Sequence, residues 1–459
     1  MAATTTTLAN VLKTEYAPLI YDQLNEESLI FRMFDEGTEN WNGDSFRISL
    51  RTATVADSAV EWGDEGASIP AASQQTYQAL VVQYAALRGS FEVTGEAEAV
   101  SEAGGSVDAY RGAMFTEMER LKDTLVSRVN RKMFDGRGCH AFLVDNLATG
   151  VINGRMVSGA NHLVSGGYYR ILHVPRADAS SWQYLGAGGL GAGNDVFQVT
   201  NIDLSAGTCT LADVTGAAGP GANIAGTDTD LYVLIRVTGF ADNTRLGLRE
   251  IHGINCLAFG PDSADMYGNQ RDGVNNTVLR GFGFKAAFGS TAAGMSSGAD
   301  LTLRDMQGVV DSLRDRSIAD VDTIIGHTLT VGQYRDLFQY SVLGATPTNA
   351  INWIPGESNA KGGFGIDAVM FNQTIPVVIS KDAPYGVFYF INRSTLKTYT
   401  LLEGQFNDFG GGNLFTQKRN GAGVLMDRKE GFYKQYFDFA CNTPRSIGVM
   451  AGVRYKRLA

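Results

Sequence analysis

Between residues 106 and 134, apolar side chains recur every three or four positions: Val107, Tyr110, Met114, Met118, Leu121, Leu125, Val129 and Met133. One continuous α-helix brings all eight to a single face, and a strand cannot, because its side chains alternate with period two. The ends agree with this. Ser106 is a suitable N-cap, Asp108 suits the positive end of the helix, Arg131 and Lys132 suit its last turn, and Gly136 can end it. At 1.5 Å per residue such a helix extends roughly 40 Å, longer than most helices of globular domains. The rest of the chain must be arranged around this spine.

The 459 residues, 44% of them hydrophobic, suffice for one large core or two to three smaller ones. Only 19% are charged and 55 are glycine, a composition poor in charge for a freely soluble monomer, so much of the surface is expected to be covered by neighbours. A net charge of −10 argues against a protein whose main task is gripping phosphate backbones, since that needs clustered Lys and Arg. Cys139, Cys209, Cys256 and Cys441 are far apart and form no CxxC pair, so neither a disulfide framework nor a zinc site is expected, and a reducing compartment fits best. No apolar run approaches the roughly 18 residues that span a bilayer. The chain is therefore expected to be neither secreted nor membrane-anchored, and the sequon at Asn275 carries little weight.

Residues 8–34 read as one or two short amphipathic helices broken around Pro18, with Leu24, Leu29, Ile30, Phe31 and Phe34 as apolar anchors, an arm that docks elsewhere. Phe46, Ile48 and Leu50 then alternate with polar neighbours as in a strand, and a second strand pattern runs from Tyr77 to Val93. Between them, residues 54–75 hold Asp57, Glu61, Asp64 and Glu65 but no Lys or Arg, with Trp62 set among the acids. The pattern predicts a long two-stranded arm with an acidic tip. An isolated hairpin is marginal in water and leaves its edges unpaired, so such an arm needs another surface to lie on. The plainer alternative is a hairpin that lies on its own chain.

From 141 to 240 there is no Lys and no Glu, and the runs YYRILHV, DVFQVTNIDL, GTCTLADV and LYVLIRVTGF alternate with glycine-rich turns, predicting a β-rich module. LTLRDMQGVVDSLRD (301–315) predicts a helix, VDTIIG a buried strand, VGQYRDLFQYSVL a second helix, and IPVVIS and GVFYFI two further strands, together a compact α/β unit. From about 386 the pattern returns to strands and closes with RSIGVMAGVRYKRLA.

Chemical motifs are sparse. GAGGLG at Gly186 to Gly191 satisfies GxGxxG but leads into strand-like DVFQVTNI instead of a helix that could receive a pyrophosphate. GMSSG at Gly294 to Gly298 offers Ser296 as a nominal nucleophile, but no strong strand ends there as a nucleophile elbow requires, and the only downstream histidine is His327. His140, His162, His173, His252 and His327 show no metal-binding spacing. No catalytic constellation emerges, and no cofactor or metal is expected. The aromatic residues read as core or interface packing instead of base-stacking platforms.

Three segments in their order, LANVLKTEYAPLIYDQLNEESLIFRMF, the hairpin leading into SVDAYRGAMFTEMERLKDTLVSRVNRKMF, and LTLRDMQGVVDSLRDRSIADVDTIIGHTLTVGQYRDLF, make the chain resemble the major capsid proteins of tailed bacteriophages. The resemblance covers nearly the whole chain. It implies an α+β, HK97-like capsid fold with an N-terminal arm (1–43), an extended β-hairpin loop (44–94), a spine helix of the peripheral domain (95–140), a β-rich peripheral region or insertion (141–240), a connecting segment (241–299), an α/β axial domain (300–385) and C-terminal strands (386–459). It further implies a virion shell subunit that assembles in the host cytoplasm into hexamers and pentamers, works with a scaffolding protein and a portal, leaves room for a cement or decoration protein, and encloses double-stranded DNA without sequence-specific binding. A mildly acidic lining is compatible with DNA that must slide during filling. Encapsulin compartments share the fold and are the alternative, and a hydrolase using Ser296 is the alternative of a different class.

In the prototype of the family a loop lysine forms an isopeptide bond with a neighbour's asparagine. Here no lysine occurs between Lys13 and Lys122, so the loop cannot make that bond. The arm begins almost at Met1, which leads to the expectation of a separate scaffolding protein in place of a cleavable leader. The acidic tip, Asp57, Glu61, Trp62, Asp64 and Glu65, is expected to meet Arg120, Lys122, Arg128, Arg131 and Lys132 on the spine helix of a neighbouring copy; the bland reading is that both charge sets are simply solvated.

Overall fold

The computed structural model describes residues 33–37, 41–43, 45–53, 62, 76–94, 107–143, 155–174, 183–186, 189–190, 196–205, 207–214, 231–237, 250–259, 279–285, 300–316, 320–342, 369–372, 374–406, 415–419 and 425–455. They form a mixed α+β structure. The arm helices read over 8–34, the N-cap at Ser106 and GMSSG lie outside the described residues, apart from Met33 and Phe34 at the end of the arm.

In chain order, β1 (Asp35–Glu36), β2 (Ser45–Ala53), β3 (Thr76–Gln83) and β4 (Ala85–Thr94) precede the spine helix α1 (Val107–Asp135). β2 and β3 form a two-stranded antiparallel ribbon, from Ser45 opposite Gln83 to Ala53 opposite Thr76. The expected single strand over 77–93 is in fact two. Leu80 and Val82 are buried before Tyr84, whereas Ala85 and Phe91 are buried after it, so the inward parity flips there. β4 accordingly leaves the ribbon and pairs with a strand near the other end of the sequence.

That partner is β20 (Leu425–Cys441), the axis of a five-stranded sheet that also contains β1, β18 (Leu396–Phe406) and β19 (Phe415–Arg419). β4 lies along Arg428 to Phe437, with Ala85 opposite Phe437. α1 covers this sheet through Leu125, Val126, Val129 and Met133. The fit is close: a Cβ on Gly89 of β4 would come within 2.8 Å of Leu121.

The helix ends where expected, and the following turn, Gly136–Gly138, holds Arg137 in the left-handed region at φ 55°. Glycine is needed at 136 because any Cβ would run into the carbonyl of Ile251. Gly253 faces it across the same crossing.

β5 (Cys139–Leu143), β6 (Arg155–Ser158), β7 (Tyr168–Val174), β8 (Gln183–Gly186), β9 (Gly189–Leu190), β10 (Phe197–Asp203), β11 (Thr208–Asp213) and β12 (Leu231–Val237) form an eight-stranded sheet. The extra pairing of β10 with β7 closes six of them into a barrel, in the order β10-β11-β6-β5-β12-β7. Ala141, Leu143, Tyr169, Ile171, Phe197, Tyr232 and Leu234 fill its interior. Phe142, Leu172, Val174, Leu231, Val233 and Ile235, on the opposite face of the same strands, join the main core. Burial on both faces is why LYVLI shows no polar alternation. Between β5 and β12 the register slips by one residue at His140, a β-bulge that re-aims this side chain.

After α2 (Ile254–Phe259), a six-stranded mixed sheet has the order β13 (Phe282–Lys285), β21 (Gly448–Ala451), β17 (Val387–Ile391), β14 (Thr323–Gly326), β16 (Ile375–Ile379), β15 (Val369–Phe371). Helices α3 (Leu303–Arg316) and α4 (Thr328–Val342) belong to the same region. Met306, Val309, Val310 and Leu313 of α3 pack with Phe388, Phe390 and Met450 in a second core, while Val387, Tyr389 and Val449 face the main one. Thr302 caps α3, its Oγ1 accepting from Asp305 N at 3.1 Å.

Candidate inter-subunit surface

α1 packs one face on the sheet and leaves a polar face of mixed sign, whose residues divide by what they already touch. Arg120 is 71% exposed and pairs with Glu117 of its own helix at 2.9 Å. Lys122 is largely buried, 3.7 Å from Asp123. Arg131 lies 3.5 Å from the Asp135 carboxylate and donates to the Asn161 carbonyl, and Lys132 bridges Asp135 at 3.5 Å and Glu250 at 3.0 Å. Four of the five cations expected on the spine thus already have a carboxylate of their own chain within 3.7 Å, two of them, Arg131 and Lys132, through the buried Asp135. Arg128 is exposed.

Asp135, the last residue of the helix, is fully buried, and its Oδ2 sits 3.0 Å from His162 Nδ1 and 3.8 Å from His140 Nδ1. Burial alone would raise this carboxyl, but the charge of His140, the hydrogen bond from His162 and the nearby Lys132 outweigh it and hold the group well below the usual carboxylate range. Burial pushes His140 the other way, down to about 4 against the pull of Asp135. His140 Nδ1 lies 2.9 Å from the His162 carbonyl, which accepts its proton, and His162 Nε2 lies 3.0 Å from the Asp382 carbonyl. Asn161 donates to the Ala383 carbonyl and accepts from Tyr385 N. This one cluster joins the end of the spine, the barrel and the loop after β16. A second lies beside it: Arg137 donates to the Glu250 carbonyl and lies 3.7 Å from Asp438, whose carboxylate holds His252 at 2.6 Å.

Between α1 and the barrel opens a cleft of about 570 Å³, bordered by Thr124, Ser127, Arg128, Val164, Arg236 and Glu250 among others. A smaller groove, about 240 Å³, runs between α1 and β4 past Leu87, Val129 and Phe437, and Arg128 borders both. Arg236 was not foreseen from the sequence; the signal available was one charged residue inside the apolar run of β12.

The ribbon is anchored at its base, where Phe46, Ile48, Leu80 and Val82 are buried in the main core. Phe46 stacks on Tyr399 with centroids 4.2 Å apart, and Trp41 packs edge-on against Phe46 at 4.7 Å and donates to the Thr400 carbonyl. In the segment that joins the two strands, Trp62 is 100% exposed. Asp57, Glu61, Asp64 and Glu65 lie outside the described residues.

No family model matches this sequence, and no curated protein matches it. Among solved structures, the chain is similar to one in the cyanophage A-1(L) capsid asymmetric unit, with 11% identity over 93% of each chain and a TM-score of 0.46. A chain of Mycobacterium phage Bobi is 9% identical over 98% of this chain and 99% of that one, at a TM-score of 0.40. The capsid of the native GTA particle is 8% identical over 92% and 89%, at 0.42.

The remaining candidate groups have structural partners. His327 accepts from Leu329 N through Nδ1 at 3.1 Å, capping α4, and burial holds its pKa down at about 4. His173 packs against Tyr232 with ring centroids 5.2 Å apart. Gly186 and Gly189 of GAGGLG pair with each other in the β8–β9 hairpin. The four cysteines are buried and unbridged. Among the described residues no group of three or more His, Cys, Asp or Glu could hold a metal ion, and no helix is long and apolar enough to cross a membrane. Ser296 lies outside the described residues.

Proposed function

We propose that this chain is the major capsid protein of a tailed double-stranded DNA bacteriophage, a non-catalytic HK97-like subunit that closes into an icosahedral shell of hexamers and pentamers and resides in the virion. The observation that carries the reading is the ribbon: rooted in the main core, it leads to an acidic segment whose Trp62 is fully exposed. A fully exposed Trp on a charge-poor protein is a contact waiting for a partner, because large aromatic side chains contribute most when buried at an interface. The order of arm, ribbon, spine helix, barrel and mixed sheet supports the same reading. In it, residues 1–43 are the arm, 44–94 the extended loop, 95–140 the spine, 141–240 an inserted peripheral region, 241–299 a connection, 300–385 the axial domain and 386–459 the returning strands. A scaffolding protein, a portal and a decoration protein are its proposed partners.

Electron microscopy of the full chain, expressed with and without its scaffolding protein and fractionated on a gradient, tests this. Closed or aberrant shells of uniform wall thickness are expected, with nuclease-protected DNA in native particles. Shells that hold an enzyme cargo instead would select a bacterial compartment, and a dispersed monomer under every condition would overturn the reading.

A further inference from the structure

We infer that the cleft between α1 and the barrel is the receptor for residues 57–65 of a second copy, with Arg128 and Arg236 gripping its carboxylates. This rests on the shell reading and specifies where the ribbon lands. Four carboxylates and a fully exposed Trp62 occupy residues 57–65 without one basic residue between 54 and 75, so the segment needs a cationic seat with an apolar margin.

The cleft meets both needs. Its own acids are engaged within the chain, Asp135 by Arg131 and Lys132, Glu250 by Lys132, and Asp123, exposed at the margin, by Lys122 at 3.7 Å. Arg128 and Arg236 differ from these cations: among the described residues neither has an ion pair or a hydrogen bond to a carboxylate, and one comes from the helix and the other from the barrel. Arg236 is half-buried in an otherwise apolar strand, a position where a guanidinium is costly unless an anion reaches it. Two forks on separate walls can each take a carboxylate bidentately, which fixes register as well as adding attraction. Beside Arg128 the second groove, bordered by Ala86 and Leu87 as well as by Arg88, Lys132 and Glu250, supplies a mixed apolar and cationic seat for the Trp62 ring. The barrel, on this view, is half of the receptor for the neighbouring subunit's ribbon.

A charge-swap cycle in the full chain tests the inference, read by shell yield on gradients and by microscopy. Arg128→Glu with Arg236→Glu, and separately Glu61→Lys with Asp64→Lys and Glu65→Lys, are each expected to cut shell yield by about tenfold or more. The combination of both sets is expected to recover at least about a third of the parental yield. The milder Arg128→Gln with Arg236→Gln guards against misfolding: its subunit should melt at the parental temperature while its shell yield falls. Parental yield from the arginine variants, or no recovery in the combined chain, overturns the docking site. Variants that assemble normally but lose packaged DNA would overturn it too, assigning the cleft to nucleic acid. A parental chain that forms no shells under any condition would instead be failure of the shell reading itself.

Discussion

His140 shows how one bulge residue sets a chemical property. Its folded pKa, about 4, lies below the ordinary 6.5 because the ring is buried. Above pH 6.5 the ring is neutral folded and unfolded; between 6.5 and 4 only the unfolded chain takes up the proton, so stability falls as pH falls through that window. His252 and His327 are shifted in the same direction by burial and add to the slope. Asp135 acts lower: its depressed carboxyl contributes stability present above its ordinary value near 3.8 and lost as pH falls below it. His140→Gln keeps a donor for the His162 carbonyl without titrating. It is expected to lose about 2 kcal/mol less stability than the parent between pH 7 and 4.5, measured by urea unfolding of the dispersed subunit; an unchanged pH slope would exclude this role. At Gly253 the constraint is steric. A Cβ would lie 2.5 Å from Gly136 N and 2.7 Å from Phe134 O, backbone atoms that cannot rotate away. Gly253→Ala is therefore expected to cost about 3 kcal/mol, read as a lowered denaturation midpoint at unchanged m-value.

Among the elements, the barrel strands serve two cores at once. Leu234 points into the barrel and Ile235, its neighbour, into the main core. Leu234→Ala should leave a cavity costing about 3 kcal/mol, and hydrogen exchange should then rise first in β5, β7 and β12; a uniform rise across all sheets would mean that the barrel does not open by itself. These strands were legible in the sequence as β-rich, and α1 was legible almost to the residue, because both signals are local periodicities. Pairing was not. Closure of β10 on β7 and the departure of β4 to β20 depend on partners far away in sequence, and the parity flip at Tyr84 is hidden where Ala85 and Ala86 follow each other with equally small side chains. The site was half legible for the same reason. The charges of α1 could be counted, but the engagement of Lys132 by Glu250 and the arrival of Arg236 on the wall of the cleft that Arg128 also lines follow from packing between distant segments.

At the scale of the whole molecule, stability and assembly should separate. Trp62 is 100% exposed and Leu125 3% exposed, so Trp62→Ala should leave the melting temperature of the dispersed subunit unchanged and lower shell yield, whereas Leu125→Ala should lower the melting temperature by several degrees through a cavity of about 2 to 4 kcal/mol. A Trp62→Ala chain that assembles at parental yield would remove the ribbon's tip from the contact. The six-stranded sheet adds a matter of timing. β21 is the strand synthesised last of its six, yet it lies between β13 and β17, parallel to one and antiparallel to the other. Until residues 448–451 leave the ribosome, that sheet has a slot in its middle and both cores that share it stay open. Strands β13 and β17 thus wait on a segment made after both, and the two cores that meet in this sheet close together when one short strand is inserted.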